Sequence, residues 1–149
     1  DLVTGVQTCA LPILAQHSGL ESGLMIVQYV AGASLAELHG SILPRTGFST
    51  VTSAGQEDHV SMGATACFNL LEALDRFTEV LACELLIAGE ALERLPAPPA
   101  DPVGMLHDEI RRVVPPLEGD RSTHRDLVVL TEGLASGRWA TLIGAVHPF

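Results

Sequence analysis

An amide and two carboxylates lie side by side at Gln56, Glu57 and Asp58, directly before a long apolar segment that begins near His59. An ionised carboxylate such as Glu57 can hold a cationic amino group or an imidazolium, and the Gln56 amide can both donate and accept hydrogen bonds. We expect Glu57 to lie near the positive end of the following helix dipole, which keeps it ionised. Gln56 and Glu57 are therefore the candidate binding residues.

Patterns for other kinds of chemistry are weak. The six histidines are scattered without the His-x-x-x-His or Cys-x-x-Cys spacing of a metal site, so no metal is predicted. Asp58 is interpreted as the N-cap of the following helix, and His59 as a solvent-facing or capping residue. Glu84, inside an apolar segment, is interpreted as one half of an ion pair across a subunit interface. No phosphate-binding glycine loop, nucleophile elbow or dinucleotide fingerprint occurs.

The charge balance argues against two classes of partner. Lys and Arg number 8 against 18 Asp and Glu, and no basic cluster occurs. Nucleic acid and anionic membrane surfaces both require local positive charge, so neither is expected to bind. Cys67 and Cys83 fall within one helical pattern and cannot pair with each other. A reduced, cytoplasmic setting follows as the expectation.

Helical periodicity dominates the chain, and no strand pattern is long enough to count. One helix is predicted from His17 to Ser41. Tyr29 is predicted to lie in the core. The apolar side of this helix consists of Leu20, Leu24, Val27, Val30, Ala31, Leu35 and Leu38. A second helix is predicted from His59 to Leu95, with a length of roughly 55 Å. Its apolar stripe, with residues three or four positions apart, consists of Val60, Gly63, Cys67, Leu70, Leu74, Phe77, Leu81, Leu85, Ala88, Leu92 and Leu95. The segment between them is predicted to be a loop.

The longest apolar stretch, Leu24 to Leu38, is shorter than the roughly 20 residues of a membrane-spanning helix and contains polar residues, so a buried core helix is predicted. Two short helices are expected after the proline-rich segment that follows Leu95. The first contains Ile110, and the second is capped by Ser122 or Thr123 and ended by Gly137. The fold class is all-α. A composition of 47% hydrophobic and 17% charged residues suits helices from the centre of a large oligomer.

The run Gln56-Glu57-Asp58-His59-Val60-Ser61-Met62-Gly63 resembles the glutamine-glutamate segment of the histidine ammonia-lyases and other aromatic amino acid lyases. Ser18 to Gln28, Thr52-Ser53-Ala54 and Val80 to Leu92 are similar to neighbouring family segments, so the resemblance covers nearly everything from Leu14 onward. Val3 to Ile13 looks instead like a translated sequencing adapter. We therefore expect residues 1–13 to be non-native and residues 14–149 to be the C-terminal helical part of a longer lyase.

The resemblance implies long antiparallel helices from the family's central bundle, a homotetramer, and elimination of ammonia from L-histidine to give urocanate. It also implies a methylidene-imidazolone (MIO) cofactor formed from an Ala-Ser-Gly tripeptide outside this chain. Ala135-Ser136-Gly137 has that composition but is interpreted as a helix end. Only Gln56 and Glu57 carry over as substrate-binding residues. The chain alone is predicted to be inactive and to self-associate.

A carboxylate at Glu57, where plant phenylalanine lyases have glutamine, favours histidine as the substrate because an imidazole can donate a hydrogen bond to it. A tyrosine or phenylalanine ammonia-lyase, or an aminomutase of the same family, stays open. So does a helical interaction module without chemistry. Gly55 stands where histidine lyases usually have Asn, and Glu21 where the family usually has Asn or His.

Overall fold

The computed structural model describes residues 14–17 and 19–142, which contain four α-helices and no strand. The helices are α1 (Met25–Gly40), α2 (Gly63–Leu92), α3 (Asp101–Arg111) and α4 (His124–Ala135), and two short 3-10 turns, Arg45–Gly47 and Ser53–Gly55, lie between α1 and α2. The all-α prediction is confirmed. None of these helices combines the length and the apolar character needed to cross a bilayer.

Helices α1 and α2 pack in antiparallel directions. The Ser34 hydroxyl of α1 donates to Glu79 Oε2 at 2.7 Å, and the side-chain amide of Asn69 donates to the carbonyl of Ser41 at 2.9 Å. Later positions along α1 thus contact earlier positions along α2. Both ends of the segment that joins the two helices are consequently held at the same end of the pair.

The core lies where α2 meets α1, α4 and the turn after α3. Its buried apolar residues are Leu24, Val27, Ala82, Cys83, Leu86, Ile110, Val114, Leu117, Leu130 and Trp139. The Trp139 ring packs so closely on α4 that a Cβ at Gly133 would lie 2.4 Å from it. Gly137, at φ +70°, ends α4 as predicted, with the Arg138 N–H donating to the Gly133 carbonyl at 2.9 Å.

Both predicted long helices begin too early. Helix α1 starts at Met25 because the Asp120 carboxylate accepts the N–H groups of Ser22 and Gly23, at 2.9 and 2.8 Å, and holds that stretch outside the helix. Helix α2 has 30 residues, a length of about 45 Å. Its N-cap is Met62, which makes no side-chain capping bond. The prediction that Asp58 caps this helix is therefore wrong.

The predicted apolar stripe of α2 is only partly covered within this chain: in its N-terminal half, Leu74 and Phe77 are each 50% exposed. The buried side of α2 consists of Ala82, Cys83, Leu86, Gly89 and Glu90. Tyr29, predicted to be core, is 67% exposed. Helix α1 is mostly apolar but carries Gln28 and Glu37, and only Val27 and Ser34 of its residues are buried. Periodicity alone cannot show which apolar side a neighbour covers.

A buried carboxylate joins three parts of the fold. Glu90 is 2% exposed, and its Oε1 accepts the N–H of Leu117 at 3.0 Å and lies 2.9 Å from Arg111 Nη2. Its Oε2 lies 3.2 Å from Arg94 Nη1. These contacts connect α2 to the end of α3 and to the segment after it. Because a buried charge requires compensating partners, we expect removal of one member of this cluster to destabilise the fold.

Replacing Glu90 by glutamine should lower the free energy of unfolding by about 2–4 kcal/mol, because the amide nitrogen would face a guanidinium group. Urea denaturation of the chain, followed by circular dichroism, measures this change. Glu84→Gln, at an exposed position of the same helix, is the matched control and should change stability by less than about 0.5 kcal/mol. Equal denaturation midpoints for Glu90→Gln and the unmodified chain would contradict the role of Glu90.

Candidate functional site

Gln56 and Glu57 lie in the segment between α1 and α2, and both residues are exposed. Thr52 and Glu57 exchange two backbone hydrogen bonds: the Thr52 N–H donates to the Glu57 carbonyl at 3.0 Å, and the Glu57 N–H donates to the Thr52 carbonyl at 3.3 Å. Residues 49–60 form a small hairpin around this pair, named here the motif hairpin. Gln56 and Glu57 follow one another in the second arm of this hairpin.

The tip of the motif hairpin has an unusual backbone conformation. Ser53, Ala54 and Gly55 all have positive φ angles, of 53°, 55° and 88°. Glycine adopts this region freely, but each residue with a Cβ atom is strained there by roughly 1–2 kcal/mol. Strain of this kind often occurs at ligand-binding sites. The sequence predicted only a loop here, since neither Ser53 nor Ala54 is a residue type that marks a left-handed turn.

The base of the motif hairpin is closed by a side chain. The Ser49 hydroxyl accepts the N–H of Val60 at 2.9 Å and lies 3.2 Å from the Val60 carbonyl, to which it can donate. Ser49 and Val60 lie equally far in sequence outside Thr52 and Glu57, so both pairs share one register. No local sequence pattern indicates this closure, because Ser49 is distant from Val60 in the chain.

The dipole of α2 does not act on Glu57 as expected. Helix α2 begins at Gly63, well after Glu57, and the dipole effect falls off within the first helical turn. The prediction that Glu57 lies at the positive end of this helix is therefore wrong. His59 is exposed, in agreement with its interpretation as a solvent-facing residue. The site can offer a carboxylate and an amide to an amine or imidazole that approaches from outside this chain.

A second concave region is separate from the motif hairpin. A groove of about 800 Å³ lies between α1, α2 and α4; its lining includes Val27, Cys83 and Leu127, but neither Gln56 nor Glu57. Burial raises the pKa of the Cys83 thiol, which disfavours a thiolate nucleophile there. Within residues 14–17 and 19–142, no group of three or more His, Cys, Asp and Glu side chains could hold a metal ion. Gln56 and Glu57 thus lie away from this groove.

The Ala135-Ser136-Gly137 tripeptide does not fit a cofactor-forming role. Ala135 is the last residue of α4, and the Ser136 N–H donates to the Glu132 carbonyl at 2.9 Å as the helix ends. The Ser136 hydroxyl donates to the Gly133 carbonyl at 3.1 Å. The N–H and hydroxyl groups of Ser136 thus both bind carbonyls at the end of α4, in agreement with the interpretation of this tripeptide as a helix end.

Glu21 organises the turn before α1. Its Oε2 accepts the N–H groups of Gln16 and His17 at 3.1 and 3.0 Å, and its Oε1 lies 3.1 Å from His17 Nδ1. These bonds, led by the backbone N–H of His17, lower the pKa of Glu21 below its ordinary value. The unusual carboxylate at this position thus has a local structural role.

The turn should be stable at neutral pH and should loosen only in acid. A carboxyl group whose pKa is lowered by folding contributes stability above its unfolded pKa and loses that contribution as the pH falls through its folded pKa. An NMR titration of the Glu21 carboxyl carbon should have its midpoint below the ordinary glutamate range. His17→Ala removes the imidazole but keeps the backbone N–H. The titration midpoint of Glu21 should therefore move only part of the way back to the ordinary glutamate range. An ordinary midpoint in the unmodified chain would contradict this account.

Comparison with known proteins is consistent with these observations. The sequence model of the aromatic amino acid lyase family matches residues 6–112. A histidine ammonia-lyase from Sorangium cellulosum is 39% identical over 143 residues, which are 95% of this chain and 27% of that protein. One from Myxococcus xanthus is also 39% identical, over 90% of this chain and 26% of its own length. The chain thus spans about a quarter of these relatives. The adapter origin of residues 1–13, which lie outside the described residues, stays a prediction.

Solved structures give the same result. The histidine ammonia-lyase from Trypanosoma cruzi superposes with a TM-score of 0.82 at 34% identity, covering 87% of this chain and 26% of that one. Tyrosine aminomutase from Streptomyces globisporus gives a TM-score of 0.81 at 29% identity, covering 89% and 26%. The helical fold and these matches agree, and the chain belongs to the aromatic amino acid lyase family.

Proposed function

We propose that this chain is part of a longer ammonia-lyase that eliminates ammonia from L-histidine to give urocanate, with Gln56 and Glu57 contacting the substrate. The observation that carries the proposal is the pairing of an amide and a carboxylate on one closed hairpin in a chain whose similar relatives include histidine ammonia-lyases. Both side chains are exposed, so they are available to a ligand held partly by other segments.

Each of the two side chains has a distinct part in this proposal. The Glu57 carboxylate accepts a hydrogen bond from the imidazole N–H or the amino group of histidine, and such charge-assisted bonds are among the stronger ones. The Gln56 amide, which can donate and accept, fixes the orientation of the bound molecule. These residues bind and orient the substrate.

The electrophile must come from outside this chain. The family resemblance implies an MIO group formed from an Ala-Ser-Gly tripeptide, and the copy at residues 135–137 ends a helix instead. When present, that group would supply the electrophile that the substrate needs for loss of ammonia. We therefore expect the purified chain alone to form no arylacrylate product. Urocanate formation by residues 14–149 would contradict this assignment.

In the complete enzyme, Glu57→Gln should lower kcat/KM for histidine by roughly 10- to 100-fold, because a charge-assisted hydrogen bond is replaced by a neutral one. Ultraviolet detection of urocanate measures this change. Glu118→Gln, at an exposed loop position, makes the same carboxylate-to-amide change and should leave kcat/KM within about twofold. A Glu57→Gln enzyme with unchanged kcat/KM would remove Glu57 from the binding site.

A second candidate function is supported by the structural neighbours. Three tyrosine aminomutase structures superpose with TM-scores of 0.80 to 0.82 at 28% to 29% identity. An aminomutase would move the amino group of tyrosine, and a tyrosine or phenylalanine lyase would release coumarate or cinnamate. Assaying the complete enzyme with histidine, tyrosine and phenylalanine separates these possibilities, because each arylacrylate has its own ultraviolet spectrum and an aminomutase forms a β-amino acid.

We also propose that the complete enzyme is a homotetramer in which the exposed apolar side of α2 packs against other helices. Large side chains on this helix, including Phe68, Leu71, Leu74 and Phe77, are at least half exposed in the single chain. Monomeric proteins rarely leave an apolar surface of this extent in water. A cytoplasmic location is proposed as well, because Cys67 and Cys83 are free thiols.

The purified chain should self-associate through this surface. Replacing both Leu74 and Phe77 by lysine should shift it toward its monomer mass of 15.7 kDa, because two charges would have to be buried in any interface. Analytical ultracentrifugation measures the mass, and circular dichroism checks that helix content is kept. Lysines at Ala64 and Thr65, two other exposed positions of α2, add equal charge and serve as the control. Equal loss of association in both variants would contradict the proposed surface.

A further inference from the structure

The motif hairpin keeps its shape without burial of its tip. Residues 53–57 are all exposed, so within this chain no packing against the core restrains Gln56 and Glu57. Their positions depend on the hydrogen bonds between the two arms of the hairpin. One pair of these bonds, between Thr52 and Glu57, uses backbone atoms alone. The other closure, between Ser49 and Val60, uses a side chain.

The Ser49 hydroxyl contacts both polar backbone groups of Val60. It accepts the Val60 N–H at 2.9 Å and can donate to the Val60 carbonyl at 3.2 Å. Ser49 and Val60 are both half-buried, so water competes less well for these bonds than at the exposed tip. A residue without a hydroxyl group would lose both bonds at once.

The strained tip makes this closure necessary. Ser53 and Ala54 hold positive φ angles that residues with a Cβ atom adopt rarely. Such conformations persist only where surrounding contacts impose them. Opening the base at Ser49 would let the tip relax toward ordinary φ values. Gln56 and Glu57, which follow these residues after Gly55, would then change direction.

We infer that Ser49 is a positioning residue for amino acid binding, which acts through the motif hairpin and does not itself touch the substrate. This inference rests on the proposed function of Gln56 and Glu57. A positioning residue of this kind affects how well the substrate is held before and during reaction alike. Its loss is therefore expected to appear mainly in KM.

The first test is steady-state kinetics of the complete enzyme with histidine. Ser49→Ala should raise KM about tenfold and leave kcat within about threefold, since two hydrogen bonds at the hairpin base are lost. Ser49→Thr retains the hydroxyl and should keep KM within about twofold of the unmodified enzyme. Thr46→Ala, at an exposed position outside the motif hairpin, is the matched control and should leave KM unchanged.

Two further measurements separate positioning from general stabilisation. Amide hydrogen exchange of the peptide covering residues 49–60 should be faster in Ser49→Ala and normal in Ser49→Thr, while the melting temperature of both stays near that of the unmodified enzyme. In a Glu57→Gln background, Ser49→Ala should raise KM by less than threefold, because its effect passes through Glu57. If Ser49→Ala does not fold, Ser49→Cys replaces it as the test. Because cysteine is a weaker hydrogen-bonding residue, its KM should be higher than that of the unmodified enzyme and of Ser49→Thr.

Several outcomes would overturn the inference. In one such outcome, Ser49→Ala exchanges its amide hydrogens faster but keeps KM within twofold of the unmodified enzyme. The closure of the hairpin would then have no role in substrate binding, and the proposed function of Gln56 and Glu57 would be unaffected. A raised KM that Ser49→Thr fails to restore would show that the side chain acts through packing. Unchanged kinetics of Glu57→Gln alone would remove the proposed function, and the role of Ser49 with it.

Discussion

The antiparallel packing of α1 against α2 is the constraint on which the candidate site depends. It brings the end of α1 and the start of α2 together, and the Asn69 side chain, donating to the Ser41 carbonyl at 2.9 Å, ties the connecting segment to α2. A segment anchored at both ends has few conformations left to it. The motif hairpin lies within this segment, and the contacts between Ser49 and Val60 close it below the strained residues of its tip.

The two halves of helix α2 have different surroundings. Its C-terminal half packs inside this chain, where Glu90 lies 2.9 Å from Arg111 at the end of α3 and accepts the N–H of Leu117 in the segment after α3. Its N-terminal half, including Leu74 and Phe77, presents apolar side chains to solvent. A helix with apolar residues on more than one side is typical of the interior of a bundle. This division agrees with a chain that spans about a quarter of its relatives.

Polar contacts define the ends of the helices more than side-chain capping does. Asp120 accepts the N–H groups of Ser22 and Gly23 before α1, and none of the four described helices has a side-chain capping bond from its own N-cap residue. The same chemistry forms the site, where Ser49 holds the backbone of Val60. Short-range sequence rules for capping do not detect such contacts, because the partners are far apart in the chain.

The sequence by itself determined the family, the helical fold class, the pairing of Gln56 with Glu57 and the end of α4 at Gly137, since each depends on residues adjacent or periodic in the chain. Only the tertiary structure decided which side of α2 is buried, where α1 and α2 begin, and that Tyr29 is exposed. Burial depends on which apolar side of a helix is covered by a neighbouring element. The helical spacing of apolar residues does not distinguish a covered side from an uncovered one. The closure of the motif hairpin by Ser49 likewise arises from folding, because the chain brings Ser49 and Val60 together only when it turns back on itself.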